Sequence, residues 1–225
     1  MTTSGTATFN LDVGELIEES YERCGLEVRT GYDARTARRS LNLMFAEWAN
    51  RGLNLWTVAQ ATITVTQGTA TYTVGADHAD ILEMVLRRSG TDYEVERISR
   101  GDYFLLPNKT AQGRPSQFYY DRKISPVINL WQVPENSTDQ LVYYYVRRIQ
   151  DAGTMQNTTD MPWRFYPCMV AGLSYYLGMK IPGAAERLDV LKQQYDEAWQ
   201  LAADEDREKA AIRFVPRQQF IGGTF

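Results

Sequence analysis

The chain has 225 residues, of which 44% are hydrophobic and 23% are charged, and its formal net charge is −4. This composition fits one globular domain, or one domain that carries an insertion, with enough apolar side chains for a substantial core. A dedicated duplex-DNA binder gains its affinity from basic side chains that neutralise phosphates. The negative net charge therefore argues against that class and leaves room only for loose contact with DNA.

No segment has the pattern of a secretory signal or of a membrane span. The N-terminal sequence lacks a basic region followed by an apolar one, and the longest uncharged apolar stretch, residues 168–179, is well short of the ~20 residues needed to cross a bilayer. We expect a soluble protein with no membrane partner. Cys24 and Cys168 lie far apart, which favours two buried thiols made in a reducing cytosol over a disulfide.

The first part of the chain has the spacing of two amphipathic helices that follow a flexible arm of residues 1–9. The first helix is predicted to begin near Asn10 or Asp12 and to end at Gly25. The second is predicted to run from Asp33, as its N-cap, to Gly52. Its apolar residues recur every three or four positions: Ala34, Ala37, Leu41, Met44, Phe45 and Trp48. The two helices should form an αα-hairpin.

The middle of the chain alternates with the period of β-strands. Residues 61–66 and 70–74 alternate on either side of Gln67-Gly68-Thr69, which predicts a β-hairpin with glycine in the turn. A short helix is predicted over residues 99–106. Further strands are predicted at residues 83–88, 93–97, 117–121, 127–132 and 141–149.

Helical spacing returns after Asp160-Met161-Pro162, and Pro167 should kink this helix or reset its start. The small residues Ala171, Ser174 and Gly178 form a stripe that would let another helix approach closely. A last helix is predicted over residues 184–210.

Both helical regions have apolar stripes that need a partner, and one bundle made from both chain ends is the economical arrangement. We therefore predict an α+β fold. The helical domain would be discontinuous (residues 1–60 and 160–210), interrupted by a β-rich insertion (61–159) and followed by an extended C-terminal arm (211–225). The residues that should be mostly buried include Leu41, Met44, Trp48, Leu188, Tyr195 and Trp199.

The sequence contains no arrangement typical of an active site. His78 is the single histidine, and its position after the predicted hairpin favours a turn residue over a catalytic one. Phosphate-binding and dinucleotide-binding glycine motifs are missing from the sequence. Carboxylate pairs such as Asp77 with Asp80, or Glu94 with Glu96, are better explained as surface charge. We expect no catalytic residue, no metal and no cofactor.

A resemblance to a known family is carried by residues 37–56. This segment ends in Glu47-Trp48, Asn50-Arg51-Gly52 and Leu53-Asn54-Leu55-Trp56, and a strand then leads into the Thr-rich glycine turn at residues 63–74. It resembles the head-to-tail adaptor proteins of short-tailed phages, the tail accessory and tail tubular families beneath the portal. The helix start at Asp160 and the closing helix are also similar, whereas residues 91–134 carry no resemblance.

The resemblance implies a structural protein at the head-tail junction of the virion, made in the host cytoplasm and assembled as a ring of twelve copies. The implied partners are the portal protein, a tail nozzle or tail-tube protein, neighbouring copies, and genomic DNA that passes through the lumen with loose contact. In such proteins the helical part contacts the portal and the neighbouring subunits, and the β part faces the tail.

Two other functions stay open at this point. A virion-associated cell-wall hydrolase would need a pair of carboxylates in a cleft. A host-surface or glycan-binding module would use the β-rich middle and its aromatic residues, among them Tyr143-Tyr144-Tyr145, whose outer face is either an interface or covered within the chain.

The C-terminal residues 212–225 combine two arginines and several apolar side chains with no acid. Pro216 opposes continuation of the preceding helix, and Gly222-Gly223 loosens the end. We predict a docking arm that becomes ordered against the portal or a neighbouring copy, the alternative being that it packs on its own bundle. The candidate docking residues are Arg213, Phe214, Arg217, Phe220 and Phe225.

Overall fold

The computed structural model describes residues 3–52 and 55–206 and shows the predicted α+β fold. Helix α1 (Val13–Arg23) begins at a capping box in which Asp12 accepts a hydrogen bond from the backbone N–H of Glu15. Its apolar face is buried and comprises Leu16, Ile17, Tyr21 and, just after the helix, Cys24. After the helix, Gly25 has φ +78°, a left-handed conformation that glycine adopts easily and that ends the helix where predicted.

Helix α2 (Gly31–Asn50) begins earlier than predicted, because Thr30 and not Asp33 is its N-cap. Asp33 is the third helical residue, and its carboxylate accepts a hydrogen bond at 3.0 Å from the backbone N–H of Thr30. The Thr30 hydroxyl accepts one from the N–H of Asp33 in return. Both residue types cap helices, so composition alone did not decide which one would occupy the cap.

The middle of the chain folds into two four-stranded sheets and a short helix, α3 (Arg100–Leu105). The first sheet has the order β1-β10-β3-β4 and comprises β1 (Val58–Thr64), β3 (His78–Arg88), β4 (Thr91–Glu94) and β10 (Gln140–Arg147). The second has the order β2-β8-β7-β5 and comprises β2 (Thr71–Thr73), β5 (Glu96–Arg97), β7 (Gln117–Asp121) and β8 (Val127–Trp131). A short parallel pair is formed by β6 (Gln112–Gly113) and β9 (Val133–Pro134).

The two sheets bury a common core, as in a β-sandwich. Phe118 and Tyr120 alternate inward along β7, and Ile128 and Leu130 do so along β8. The first sheet contributes Ile81, Met84, Leu86, Leu141 and Tyr143 to the same cluster. We call residues 58–147 the β unit.

The predicted β-hairpin at Gly68 was wrong. The turn itself forms, since the N–H of Thr69 donates to the carbonyl of Thr66 and Gly68 has φ +78°. However, β1 pairs with β10 in one sheet, whereas β2 pairs with β8 in the other. Alternating residues around a glycine turn occur both in hairpins and in arches that connect two sheets. Here the chain forms an arch, and Val65 is buried in the core between the two sheets.

Helices from both chain ends form a second core. A 3₁₀ turn (Trp163–Phe165) leads into α4 (Tyr166–Gly178), and another (Pro182–Arg187) leads into α5 (Leu188–Glu205). Pro167 is in the first turn of α4 and so resets the helix start. The start of α5 lies four residues after the predicted one. We call α1, α2, α4, α5 and the segments that join them, residues 11–57 and 148–206, the helical unit.

The prediction that these six residues of the helical unit are mostly buried is confirmed. Leu41, Met44, Trp48 and Tyr195 are buried. Leu188 and Trp199 are half-buried. Trp48 donates a hydrogen bond from Nε1 to the Tyr195 hydroxyl at 2.7 Å, which joins α2 to α5 in the centre of this core.

The close packing of α1 and α2 against α4 depends on residues next to the predicted small-residue stripe as well as on the stripe itself. A Cβ added at Gly172 would lie 2.5 Å from the Met44 sulfur, so α2 can pack this closely only because residue 172 of α4 is glycine. On the other side, the Ser20 hydroxyl lies 3.4 Å from the carbonyl of Val170. Residue 172 was not included in the stripe, because its neighbour in space was unknown from the sequence.

Candidate docking surfaces

His78 does not lie in a site that a substrate could enter. It ends the turn from Gly75 and begins β3. Its ring stacks on Tyr145 at a centroid distance of 3.7 Å, and its Nε2 lies 3.3 Å from the hydroxyl of Tyr143. Tyr143 is buried, which raises its pKa to about 12, so its hydroxyl is a poor nucleophile. These contacts hold β3 against β10.

The remaining titratable groups that the sequence singled out have structural surroundings. Asp80 pairs with Arg97 at 2.9 Å, and Glu96 accepts a hydrogen bond from Gln117. Cys24 and Cys168 are buried free thiols, and burial raises the pKa of Cys168 to about 12. Among residues 3–52 and 55–206, no three side chains of His, Cys, Asp or Glu are grouped as a metal site would require.

The Glu47-Trp48 to Arg51 motif fastens the end of α2 to its neighbours. Arg51 Nε donates to the Glu47 carboxylate at 2.9 Å, and its guanidinium lies 4.6 Å from the ring centroid of Trp199. The hydroxyl of Tyr176 in α4 also donates to Glu47. Glu47, Trp48 and Arg51 of the motif that carried the family resemblance therefore stabilise the bundle.

A groove runs over the first half of α4 between α1 and α5, and we call it the three-helix groove. Its floor is made by Pro167, Val170 and Ala171, and its two parts, on either side of Arg23, enclose about 730 and 600 Å³. The apolar side chains at its walls are unusually open to solvent, between 58% and 76% exposed: Phe9, Trp163, Val190 and Leu201.

The walls of the three-helix groove are acidic. Six carboxylates line it against two arginines, Arg23 and Arg187. The carboxylates are those of Glu15, Glu18, Glu19, Glu22, Glu186 and Glu197. The convergence of the α1 glutamates with α5 was not apparent from the sequence.

A second exposed apolar surface lies in the β unit. Phe104 and Leu105, which we call the β tip, are 78% and 77% exposed at the end of α3. Helix α3 packs on β7 through Tyr103, whose ring centroid lies 5.6 Å from that of Tyr119. Ile124, in the turn that follows β7, is 95% exposed. Apolar side chains presented in this way are typical of protein interfaces.

Two ion pairs fix the chain segments that join the helical and β units. Arg147, the last residue of β10, pairs with Asp160, whose backbone carbonyl accepts a hydrogen bond from Trp56 Nε1 at 3.1 Å. Asp206 pairs with Arg164 and accepts a hydrogen bond from the N–H of Leu55 at 2.9 Å. Asp206, the last described residue after α5, therefore lies beside the junction with the β unit.

The docking residues proposed from the sequence, Arg213, Phe214, Arg217, Phe220 and Phe225, lie outside the described residues. The groove and the β tip were not found from the sequence. One signal existed for the groove: Val190 and Leu201 are apolar residues away from the buried stripe of α5.

Comparison with known proteins agrees with these features. None of the helices in the described ranges is long and apolar enough to cross a membrane. No curated protein matches the chain. The family model described as SU10 adaptor protein matches residues 11–216, which include both units and the Glu47 to Arg51 motif. The chain therefore belongs to the SU10 adaptor protein family, a family of phage head-to-tail adaptors.

Proposed function

We propose that the protein is a structural component of the virion that joins the portal of the head to the tail. The observation that carries the proposal, beside family membership, is that the three-helix groove and the β tip are exposed apolar surfaces on separate units. A protein that bridges two different partners needs two such surfaces, and they need not be alike.

In this proposal twelve copies close into a ring at the head-tail junction, after synthesis in the host cytoplasm. The helical unit contacts the portal protein and neighbouring copies, and the β unit faces a tail nozzle or tail-tube protein. Genomic DNA passes through the lumen with loose contact only. The net charge of −4 supports this last point, because few phosphates would be neutralised and DNA could slide.

The proposed domain organisation remains the discontinuous helical domain (1–60 and 160–210), the β-rich insertion (61–159) and the C-terminal docking arm (211–225). It is supported by the two separate hydrophobic clusters. We place the arm, with Arg213, Phe214, Arg217, Phe220 and Phe225, against the portal or a neighbouring copy.

We also propose that the protein is not an enzyme and requires no cofactor. The enclosed position of His78 supports this, as does the pairing of Asp80 with Arg97. Neither a cell-wall hydrolase nor a glycan-binding module is favoured by any described contact. Clearing of peptidoglycan in a zymogram by the purified full-length chain would contradict the proposal.

The adaptor proposal is tested with purified portal and tail proteins. Wild-type protein should form rings on portals in electron micrographs and should then recruit the tail protein. Phe104→Ser with Leu105→Ser should leave portal binding unchanged and should weaken tail recruitment at least ~10-fold, since a few exposed apolar residues commonly dominate an interface.

Leu82→Ser, at a half-exposed apolar position elsewhere in the β unit, is the matched control and should bind both partners as the wild type does. Failure of the wild-type chain to form rings on portals would refute the proposed function. Loss of portal binding with retained tail recruitment in the β-tip variant would reverse the proposed orientation.

A further inference from the structure

We propose that the three-helix groove receives the C-terminal segment, residues 212–225, of a neighbouring copy of this chain. The inference rests on the proposed ring, and it names the surface by which one subunit holds the next. It is carried by the shape of the groove, by its charge and by the position at which the described chain ends.

The groove has the form that an extended apolar segment requires. Pro167, Val170 and Ala171 make a floor of small or flat side chains, and Trp163 and Leu201 are exposed at its walls. Nothing within the described chain covers these walls. An occupant with spaced aromatic side chains would bury them and exclude water from the floor.

The acidic charge of the groove favours a basic segment as its occupant. Six glutamates and two arginines line the groove. The segment 212–225 contains Arg213 and Arg217 and no acidic residue, and its aromatic residues are Phe214, Phe220 and Phe225. Glu18 and Glu22 lie one helical turn apart on the exposed side of α1, where an arginine of the segment could approach both. Opposite charges around an apolar centre are typical of specific interfaces.

The position of Asp206 favours a neighbouring copy over the chain's own groove. Asp206 is held by Arg164 and by the N–H of Leu55 at the junction with the β unit. To enter its own groove the chain would have to reverse there and run back along α5. The 19 residues that follow Asp206 can span at most about 60 Å, a reach that would let the segment cross to an adjacent subunit in the proposed ring.

Ring assembly requires the same arrangement. Subunits that join head to tail need two different and complementary surfaces, one donated and one receiving. A basic aromatic segment and an acidic apolar groove on the same chain are such a pair.

The test uses full-length protein assembled on portal rings, with a photoreactive benzoylphenylalanine in place of Phe214. Isotopically light and heavy copies are mixed before assembly, and cross-linked peptides are identified by mass spectrometry. We expect light-heavy pairs that join position 214 to peptides containing residues 163–170 or 190–201. Only a contact between two copies produces such mixed pairs.

Charge reversal then tests the specificity of the contact. Glu18→Lys with Glu22→Lys should lower the mixed cross-link yield about tenfold, because two favourable charge contacts become repulsive. Combining it with Arg213→Glu and Arg217→Glu should restore most of the yield. Asp196→Lys with Glu94→Lys reverses two exposed charges outside the groove and should change little.

Three outcomes would overturn the inference: cross-links to the portal, pairs of one label only, or a yield that the groove charges do not affect. The first would leave the proposed adaptor function intact, since the arm would then hold the portal instead of a subunit. Failure of the wild-type chain to assemble on portals would refute the proposed function itself.

Discussion

The helical unit and the β unit differ in how far apart in the sequence their contacting residues lie. In the helical unit, Trp48 bonds Tyr195, and Cys24 donates from its sulfur to the carbonyl of Ser174, so partners lie about 150 residues apart. In the β unit every strand pairs with another strand within residues 58–147. The β unit can therefore complete its core without the chain ends, whereas the helical unit cannot.

The two units also present different surfaces. The helical unit has a groove with acidic walls, shaped by three helices, whereas the β unit presents an apolar tip on a single short helix. A groove holds an extended segment, and a protruding tip enters a pocket of another protein. The difference is what we expect of a protein whose two ends meet unlike partners.

The largest loss of stability in either unit is expected from Trp48→Ala. Loss of this buried ring and of its bond to Tyr195 should destabilise the helical unit by about 3–5 kcal/mol. Urea unfolding of the full-length chain, followed by circular dichroism, measures the change. Trp163→Ala removes a ring that is 76% exposed, so this control should lose less than ~1 kcal/mol, and a larger loss would show that burial does not set the cost.

The corresponding change in the β unit is Phe118→Ala. Phe118 is fully buried between the two sheets, and its loss should cost about 3–4 kcal/mol. If the β unit folds independently, hydrogen exchange should increase across residues 58–147 and change little in α1 and α4. Uniform loss of protection in both units would mean that they unfold as one.

A smaller effect is expected from Asp139→Ala. The buried Asp139 carboxylate accepts hydrogen bonds from Arg88 Nη2 at 2.7 Å and from Asn136. Its removal takes the shared acceptor from Arg88 Nη2 and the Asn136 amide, while Arg88 keeps its pair with Glu135 at 2.8 Å, and it should cost about 2 kcal/mol, measured by urea unfolding. Asp92→Ala breaks the solvent-exposed pair with Arg87 and should cost clearly less than Asp139→Ala, because water screens this pair. Equal losses would show that burial does not distinguish the two pairs.

The junction is tested by Asp160→Asn, which weakens the pair with Arg147 while keeping the backbone bond from Trp56. Because both charged side chains are only half-buried, we expect a loss of about 1 kcal/mol. Limited proteolysis should become faster within residues 148–160 and stay unchanged in the core strands. Unchanged cleavage would mean that the pair does not couple the units.

The last effect is confined to high pH. Burial raises the pKa of Tyr195, so it stays neutral in the fold, whereas in the unfolded chain tyrosine ionises near pH 10. The unfolded state therefore releases a proton first, and stability falls as pH rises above about 10. Tyr195→Phe should make this decline shallower by up to ~1.4 kcal/mol per pH unit, measured by urea unfolding between pH 9 and 11. If the free energy of unfolding declined with pH as steeply in the variant as in the wild type, Tyr195 would not be a source of the decline.

The sequence by itself determined the local elements of this protein. The start and end of α1, the apolar spacing of α2, the short helix α3 capped by Ser99 and the strand at residues 117–121 were all predicted, because each depends on periodicity and capping within a few neighbouring residues. The family was also identified from residues 37–56, since the Glu47 to Arg51 motif is local and must keep its chemistry to hold α2 against Trp199.

Tertiary structure alone decided which elements are partners. The turn at Gly68 joins two sheets instead of one hairpin, because the core between the sheets, not the turn, selected the neighbours of β1 and β2. The close contact at Gly172 depends on Met44, more than a hundred residues away. The three-helix groove exists only where α1, α4 and α5 converge, and no pattern within a single helix can show that its exposed charges and apolar side chains face a common space.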